Sequence, residues 1–94
     1  MENIISREKL DHYFSLTKQA LGKAKAALNE KEKKKAEDFL DMASRYYQDA
    51  LFFAEKGDVV NAFAAVNYAH GWLDAGARIG LFQVHDSRLF TVDD

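Results

Sequence analysis

The sequence predicts an all-α protein: an up-and-down three-helix bundle with a short C-terminal tail packing back on helix 3. Three observations carry that prediction. Apolar residues recur in alternating steps of three and four along most of the chain, the spacing of helices with one buried side. No proline occurs among the 94 residues, which favours long uninterrupted helices. Finally, two helical patterns meet at Lys56-Gly57-Asp58 with almost no loop between them. Gly57 suits the left-handed position that closes one helix and Asp58 can cap the next, which makes an antiparallel hairpin.

Helix 1 is expected over residues 6–28. Ser6 is a good N-cap, and Glu8 in the first turn complements the helix dipole. Its seam is Leu10, Phe14, Thr17, Leu21, Ala24 and Leu28, with Asp11, Lys18, Gln19 and Lys25 on the other side. Asn29 marks its end. Helix 2 is expected over 33–56, with Ala36, Phe39, Leu40, Ala43, Tyr46, Tyr47, Ala50, Leu51 and Ala54 turned inward. The cations of Lys31-Glu32-Lys33-Lys34-Lys35 oppose its dipole, so its first turn should be frayed or shifted. Phe52 falls on the polar side with Asp41, Arg45 and Gln48, and is a candidate contact for a partner.

Helix 3 is expected over 59–79, stopping at Gly80. At about 100° per residue its apolar arc covers roughly 240°, far beyond the ~100° stripe of an ordinary surface helix. Phe63, Val66, Ala69 and Leu73 lie on one flank, and Tyr68, Trp72 and Ile79 on the other. Ala62, Ala64, Ala65, Ala75, Gly76 and Ala77 keep the helix slim, so neighbours can approach closely. Two companion helices cannot cover so much of a third. The tail, a second copy of the chain or a ligand must lie on the remainder. Within the tail, 81–94, at least Leu81 and Phe82 are expected to fold back onto helix 3. Tyr68, Trp72 and Phe82 join Phe52 as candidate binding or interface residues.

The chain length fits one helical domain spanning 1–94. A chain this size buries only roughly 60–65% of its unfolded surface, so the core must be efficient. With no cysteine, disulfides, thiolate metal sites and a cysteine nucleophile are excluded. No apolar run approaches the ~20 residues of a membrane span, and the start, MENIISREKL, lacks a signal peptide's apolar stretch. A cytoplasmic protein without a membrane partner is therefore expected. Residues 1–35 hold nine Lys/Arg against five Asp/Glu, and residues 36–94 four against ten. Solvated helix faces account for that asymmetry more simply than an acidic partner does.

The strings Tyr46-Tyr47-Gln48-Asp49-Ala50, Lys56-Gly57-Asp58, Asn61-Ala62-Phe63-Ala64-Ala65 and Asn67 to Gly76 (NYAHGWLDAG) resemble an archaeal family. That family is catalogued as a domain of unknown function, number 357. The likeness is specific across residues 46–82 and looser over helix 1. It implies an up-and-down three-helix bundle from an archaeal cytosol, and brings no activity, cofactor or catalytic residue with it.

The best polar constellation is His70, Asp74 and Arg78, spaced by four on helix 3, with Asn67 on the same side. An imidazole beside a carboxylate is how a general base is held, because the carboxylate orients the ring and stabilises its cation. No motif places a Ser or Cys nucleophile beside it, so a packing histidine and a helical ion pair are the simpler reading. Metal binding has less behind it: His70 and Asp74 supply two ligands where zinc wants three or four, and neither His12 nor His85 is spaced to join them. No cofactor is implied. Arg78 to His85, RIGLFQVH, resembles the loose Arg-x(4–6)-His motif of helical nucleotide- and RNA-handling domains, except that Gly80 interrupts the helix. Nucleic acid has weak further support: Tyr46, Tyr47, Tyr68 and Trp72 could stack on bases, but they lie in the acidic half, away from the lysines. The function expected is a non-enzymatic module that binds protein, itself or another. The alternative is an RNA- or nucleotide-processing domain using Arg78 with His70 or His85.

Overall fold

The computed structural model describes residues 5–92. The first four residues and the last two, which the expected domain and tail include, lie outside the described residues. Three helices follow one another: α1 (Arg7–Ala26), α2 (Lys33–Glu55) and α3 (Val59–Arg78). The tail then returns along the bundle. Among the described residues, no helix is long and apolar enough to cross a membrane.

Local chemistry sets the helix ends. Ser6 Oγ accepts the amide of Lys9 at 3.1 Å, which satisfies one unpaired N–H at the start of α1. Lys23 and Lys25 in its last turn complement the negative end of the dipole. α1 stops two residues short of 28, because Ala27 leaves helical geometry and Asn29 begins a 3-10 turn over Glu30–Glu32. Asn29 Oδ1 accepts the amide of Lys31 at 3.1 Å. α2 then starts at Lys33 without a side-chain cap. Lys33, Lys34 and Lys35 nevertheless form its regular first turn, so the expected fraying or shift is not found.

The two hinge glycines work alike. Gly57 has φ +78° and Gly80 φ +81°, the left-handed conformation that L side chains avoid. After α2, the Asp58 amide returns to Phe53 O at 2.9 Å and the Gly57 amide to Ala54 O at 3.1 Å. After α3, the Leu81 amide returns to Gly76 O at 2.8 Å and the Gly80 amide to Ala77 O at 3.2 Å. Both are Schellman closures. Asp58 Oδ1 also caps α3 by accepting the Asn61 amide at 3.1 Å.

α3 is the central helix. It runs along α2 for much of its length and packs on α1 from another side, while α1 and α2 touch little. The molecule is correspondingly flat, 44 × 25 × 17 Å across its Cα atoms. Ala62, Val66, Ala69 and Leu73 of α3 are wholly buried, as are Leu10, Ala20 and Ala24 of α1 and Ala36, Ala43 and Ala50 of α2. Alanine on every facing surface lets the backbones approach, and aromatic rings fill the edges of the seams. Tyr13 meets Phe63, Phe14 meets Tyr47 and Phe39 meets Trp72, all edge to face with centroids 5.0–5.6 Å apart.

The tail does more than was expected of it. Leu81 and Phe82 fold back, and Leu89 and Phe90 are buried as well. Leu28 and Phe82 form an antiparallel bridge, with the Asn29 amide on Leu81 O and the Gln83 amide on Ala27 O, both at 2.8 Å. Phe82 is 1% exposed and covers Gly76, where even an alanine methyl would overlap its ring. The expectation of Phe82 as an interface residue is thereby corrected: its own chain takes it up, because the missing side chain at position 76 leaves room for the ring.

Candidate functional site

His70 projects from α3 towards both α1 and the tail. Its Nε2 lies 2.6 Å from Leu89 O and its Nδ1 2.9 Å from Thr17 Oγ1. A carbonyl can only accept, so Nε2 carries a hydrogen; in the neutral ring Nδ1 accepts from the Thr17 hydroxyl. Thr17 is 1% exposed, and this bond answers its buried hydroxyl. Asp74, one turn on, accepts the Thr91 amide at 2.7 Å and the Thr91 hydroxyl at 3.2 Å. Its carboxylate stands 3.9 Å from His70 Nε2. Of the residues expected to share this side of α3, His70 and Asp74 are brought together, and they hold the tail in place. With both ring nitrogens engaged, His70 presents no free lone pair to a substrate.

Further polar contacts fasten and brace the tail. Asn29 Nδ2 donates to Gly80 O at 2.9 Å. Lys23 Nζ reaches Asp86 Oδ2 at 2.8 Å, and Arg88 Nη2 reaches the same oxygen at 3.0 Å. Hydrogen bonds from Arg88 and Lys23 hold the Asp86 carboxyl well below the usual carboxylate range, and Asp86 in turn raises the Arg88 guanidinium. Elsewhere, burial pushes the Tyr47 phenol up.

Arg78 and His85 fall elsewhere. Both line an open groove of about 610 Å³ between the end of α3 and the tail, together with Asn29, Gln83, Val84 and Val92. His70 is not part of it. The groove's aromatic lining is the Phe82 ring; neither Trp72 nor Phe63 reaches it. Among the described residues, no group of three or more His, Cys, Asp or Glu could hold a metal ion.

The largest unclaimed feature is apolar. Val60, Ala64, Tyr68, Gly71, Ala75 and Ile79 all point outward from α3, with Val60 69%, Tyr68 53% and Ile79 63% exposed. Tyr68 stacks edge-on against Tyr46 at 4.4 Å. Beside it Phe39, Trp72, Gly71 and Ala75 line a shallow apolar groove of about 430 Å³. Of the sequence candidates, Tyr68 and Trp72 meet here. Phe52, 56% exposed, sits near the far end of α2 under the Lys56 ammonium and does not line that groove.

A family model described as a protein of unknown function (DUF357) matches residues 12–82. The chain belongs to the DUF357 family. The match takes in α1 from its second turn on, α2, α3 and the first tail residues, so the hairpin, the Gly76–Phe82 contact and the outward face of α3 lie within the family's span. The Leu89, Thr91 and Asp86 contacts of the tail lie beyond it. No curated protein and no solved structure matched this DUF357 chain.

Some functional candidates were not legible from spacing. Thr17 reads as one more seam position. A hydroxyl in an apolar seam nevertheless needs a partner, and His70 borders the facing stripe. Asn29, Asp86 and Thr91 act across 17 to 63 positions of sequence, where no local pattern points.

Proposed function

We propose that this DUF357 protein is a non-enzymatic docking module whose working surface is the outward face of α3. The observation behind this reading is the row from Val60 to Ile79. Its side chains remain outward although α1, α2 and the tail already cover the other sides of the helix. A contiguous apolar strip that long is uncommon on a protein that works alone. The partner is a protein, itself or another. The His70–Asp74 pair supports the same reading, since it serves the fold. An archaeal, cytoplasmic setting is part of the same proposal.

The test is retention of partners by immobilised protein, comparing the wild type with Ala75→Glu. Position 75 is exposed, so the substitution leaves the core alone. The reading expects at least one protein, this chain or another, that the wild type retains and the variant loses. Identical sets would contradict it.

One observation favours a second reading. Arg78 and His85 share a solvent-reached groove, as an RNA- or nucleotide-processing domain would require of them. Binding of single-stranded RNA or a nucleoside phosphate, lost in both Arg78→Ala and His85→Ala, would establish it. Unchanged binding in either variant, or none in the wild type, would remove it.

A further inference from the structure

We propose that the occupant of α3's outward face is a second copy of this chain, laid antiparallel across it about a two-fold axis. This rests on the docking reading above and names its partner. The outward residues Val60, Ala64, Tyr68, Gly71, Ala75 and Ile79 form a series with matching steps from either end. Antiparallel pairing centred between Tyr68 and Gly71 sets Val60 level with Ile79 of the other copy, Ala64 with Ala75, and Tyr68 with Gly71. Branched side chains meet at the two ends and methyl groups meet inside them. At the centre an aromatic ring meets bare backbone.

A two-fold interface demands such self-complementarity, because every contact in it is made twice with the roles exchanged. Gly71 supplies the notch: a Cβ built there meets nothing within 4 Å. The shallow groove of Phe39, Trp72 and Ala75 continues that notch towards α2, so the incoming Tyr68 has apolar walls on the side where it enters. No residue of the series itself is charged; exposed Arg78, beside Ile79, lies at the end of the face and not at its centre. The small residues permit close approach of the two helices.

The area is sufficient. The 20 residues of α3 run about 30 Å at ~1.5 Å each. With the adjoining strip of α2, one helix spacing of about 10 Å away, the face is roughly 20 Å wide. That is about 600 Å² per copy and about 1,200 Å² in all, at the lower edge of stable specific interfaces.

Sedimentation of the full chain from micromolar to millimolar concentration tests the stoichiometry, and thiol bridging tests the geometry. The chain has no cysteine, so introduced thiols are unique. A short bifunctional thiol reagent should join Val60→Cys to Ile79→Cys in a mixture. It should join neither variant to itself, since like positions would lie about 28 Å apart along the helix. Ala75→Glu should weaken the dimer roughly 100-fold, because each dimer would bury two unpaired carboxylates. A chain monomeric at every concentration overturns the inference, as does self-bridging of Val60→Cys, which signals a different arrangement. If the monomeric chain still retains another protein that Ala75→Glu loses, the docking reading stands and the second copy fails. A dimer indifferent to Ala75→Glu also overturns the inference, and it defeats the docking reading too where the variant retains every protein that the wild type retains.

Discussion

Thr17 Oγ1 and His70 Nδ1 stand 2.9 Å apart, a hydrogen bond that joins α1 to α3. The other nitrogen of the same ring holds the carbonyl of Leu89, so one imidazole ties two helices and the tail together. Thr17→Val keeps the side chain's shape and removes its hydroxyl. It should destabilise the protein by about 1–3 kcal/mol, because His70 Nδ1 is left partly buried with nothing to bond. Urea unfolding measures this. An unchanged midpoint would mean that the bond contributes nothing.

Two helical glycines should respond in opposite directions. At Gly71 an added methyl enters open space, and Gly71→Ala should stabilise the isolated chain by about 0.5–1 kcal/mol through helix propensity alone. At Gly76 the methyl meets the Phe82 ring, and Gly76→Ala should cost about 1–3 kcal/mol in strain, less the propensity gain. Thermal melts of dilute samples compare them. Equal shifts of one sign would contradict the close packing of Phe82 on α3.

The ends of the helices were legible in the sequence because their causes are local. Ser6, Gly57, Asp58 and Gly80 each act within a few residues of where they stand, and a left-handed turn asks for glycine whatever surrounds it. The central place of α3 was legible as well, since an apolar arc wider than an ordinary stripe has to be covered from several sides. The identity of the cover was not. Phe82 looks like a residue for a partner until Gly76 is seen beneath it. The signal was present as a glycine in a helix interior, which costs about 1 kcal/mol against alanine and therefore asks for a reason. His70 and Asp74 share a face by spacing, and that pattern fits a general base as well as an anchor. Thr17, Leu89 and Thr91 decide between those roles, and they come from other parts of the chain. Asn29 reads as a helix end, whereas its long-range bonds to Gly80 and Leu81 make it a clasp for the tail.

Leu73 lies in the centre of the core and is wholly buried. Leu73→Ala should cost about 2–5 kcal/mol, a large share of the stability of so small a protein. Calorimetry or denaturant unfolding reads it. A loss below about 1 kcal/mol would show that the α3 seam collapses freely around the gap.

Asp86 should make the tail's grip acid-sensitive. Arg88 and Lys23 depress its folded-state pKa, so the carboxylate favours the folded chain above the ordinary range near pH 4. That contribution fades as pH falls through this range towards the lower folded value. The gap in melting temperature between wild type and Asp86→Asn should therefore be widest at neutral pH and narrow progressively in acid. A gap independent of pH would contradict the ion pairs with Lys23 and Arg88.

The central claim is that α3 has one more apolar side than its own chain covers, and that a second copy covers it. A dilution series of amide correlation spectra tests this most directly. The account predicts concentration-dependent shifts gathered at Val60, Ala64, Tyr68, Gly71, Ala75 and Ile79, with Phe52 and the His70 clasp unmoved. Spectra that stay constant at every concentration, or shifts gathered around Phe52 instead, would contradict it.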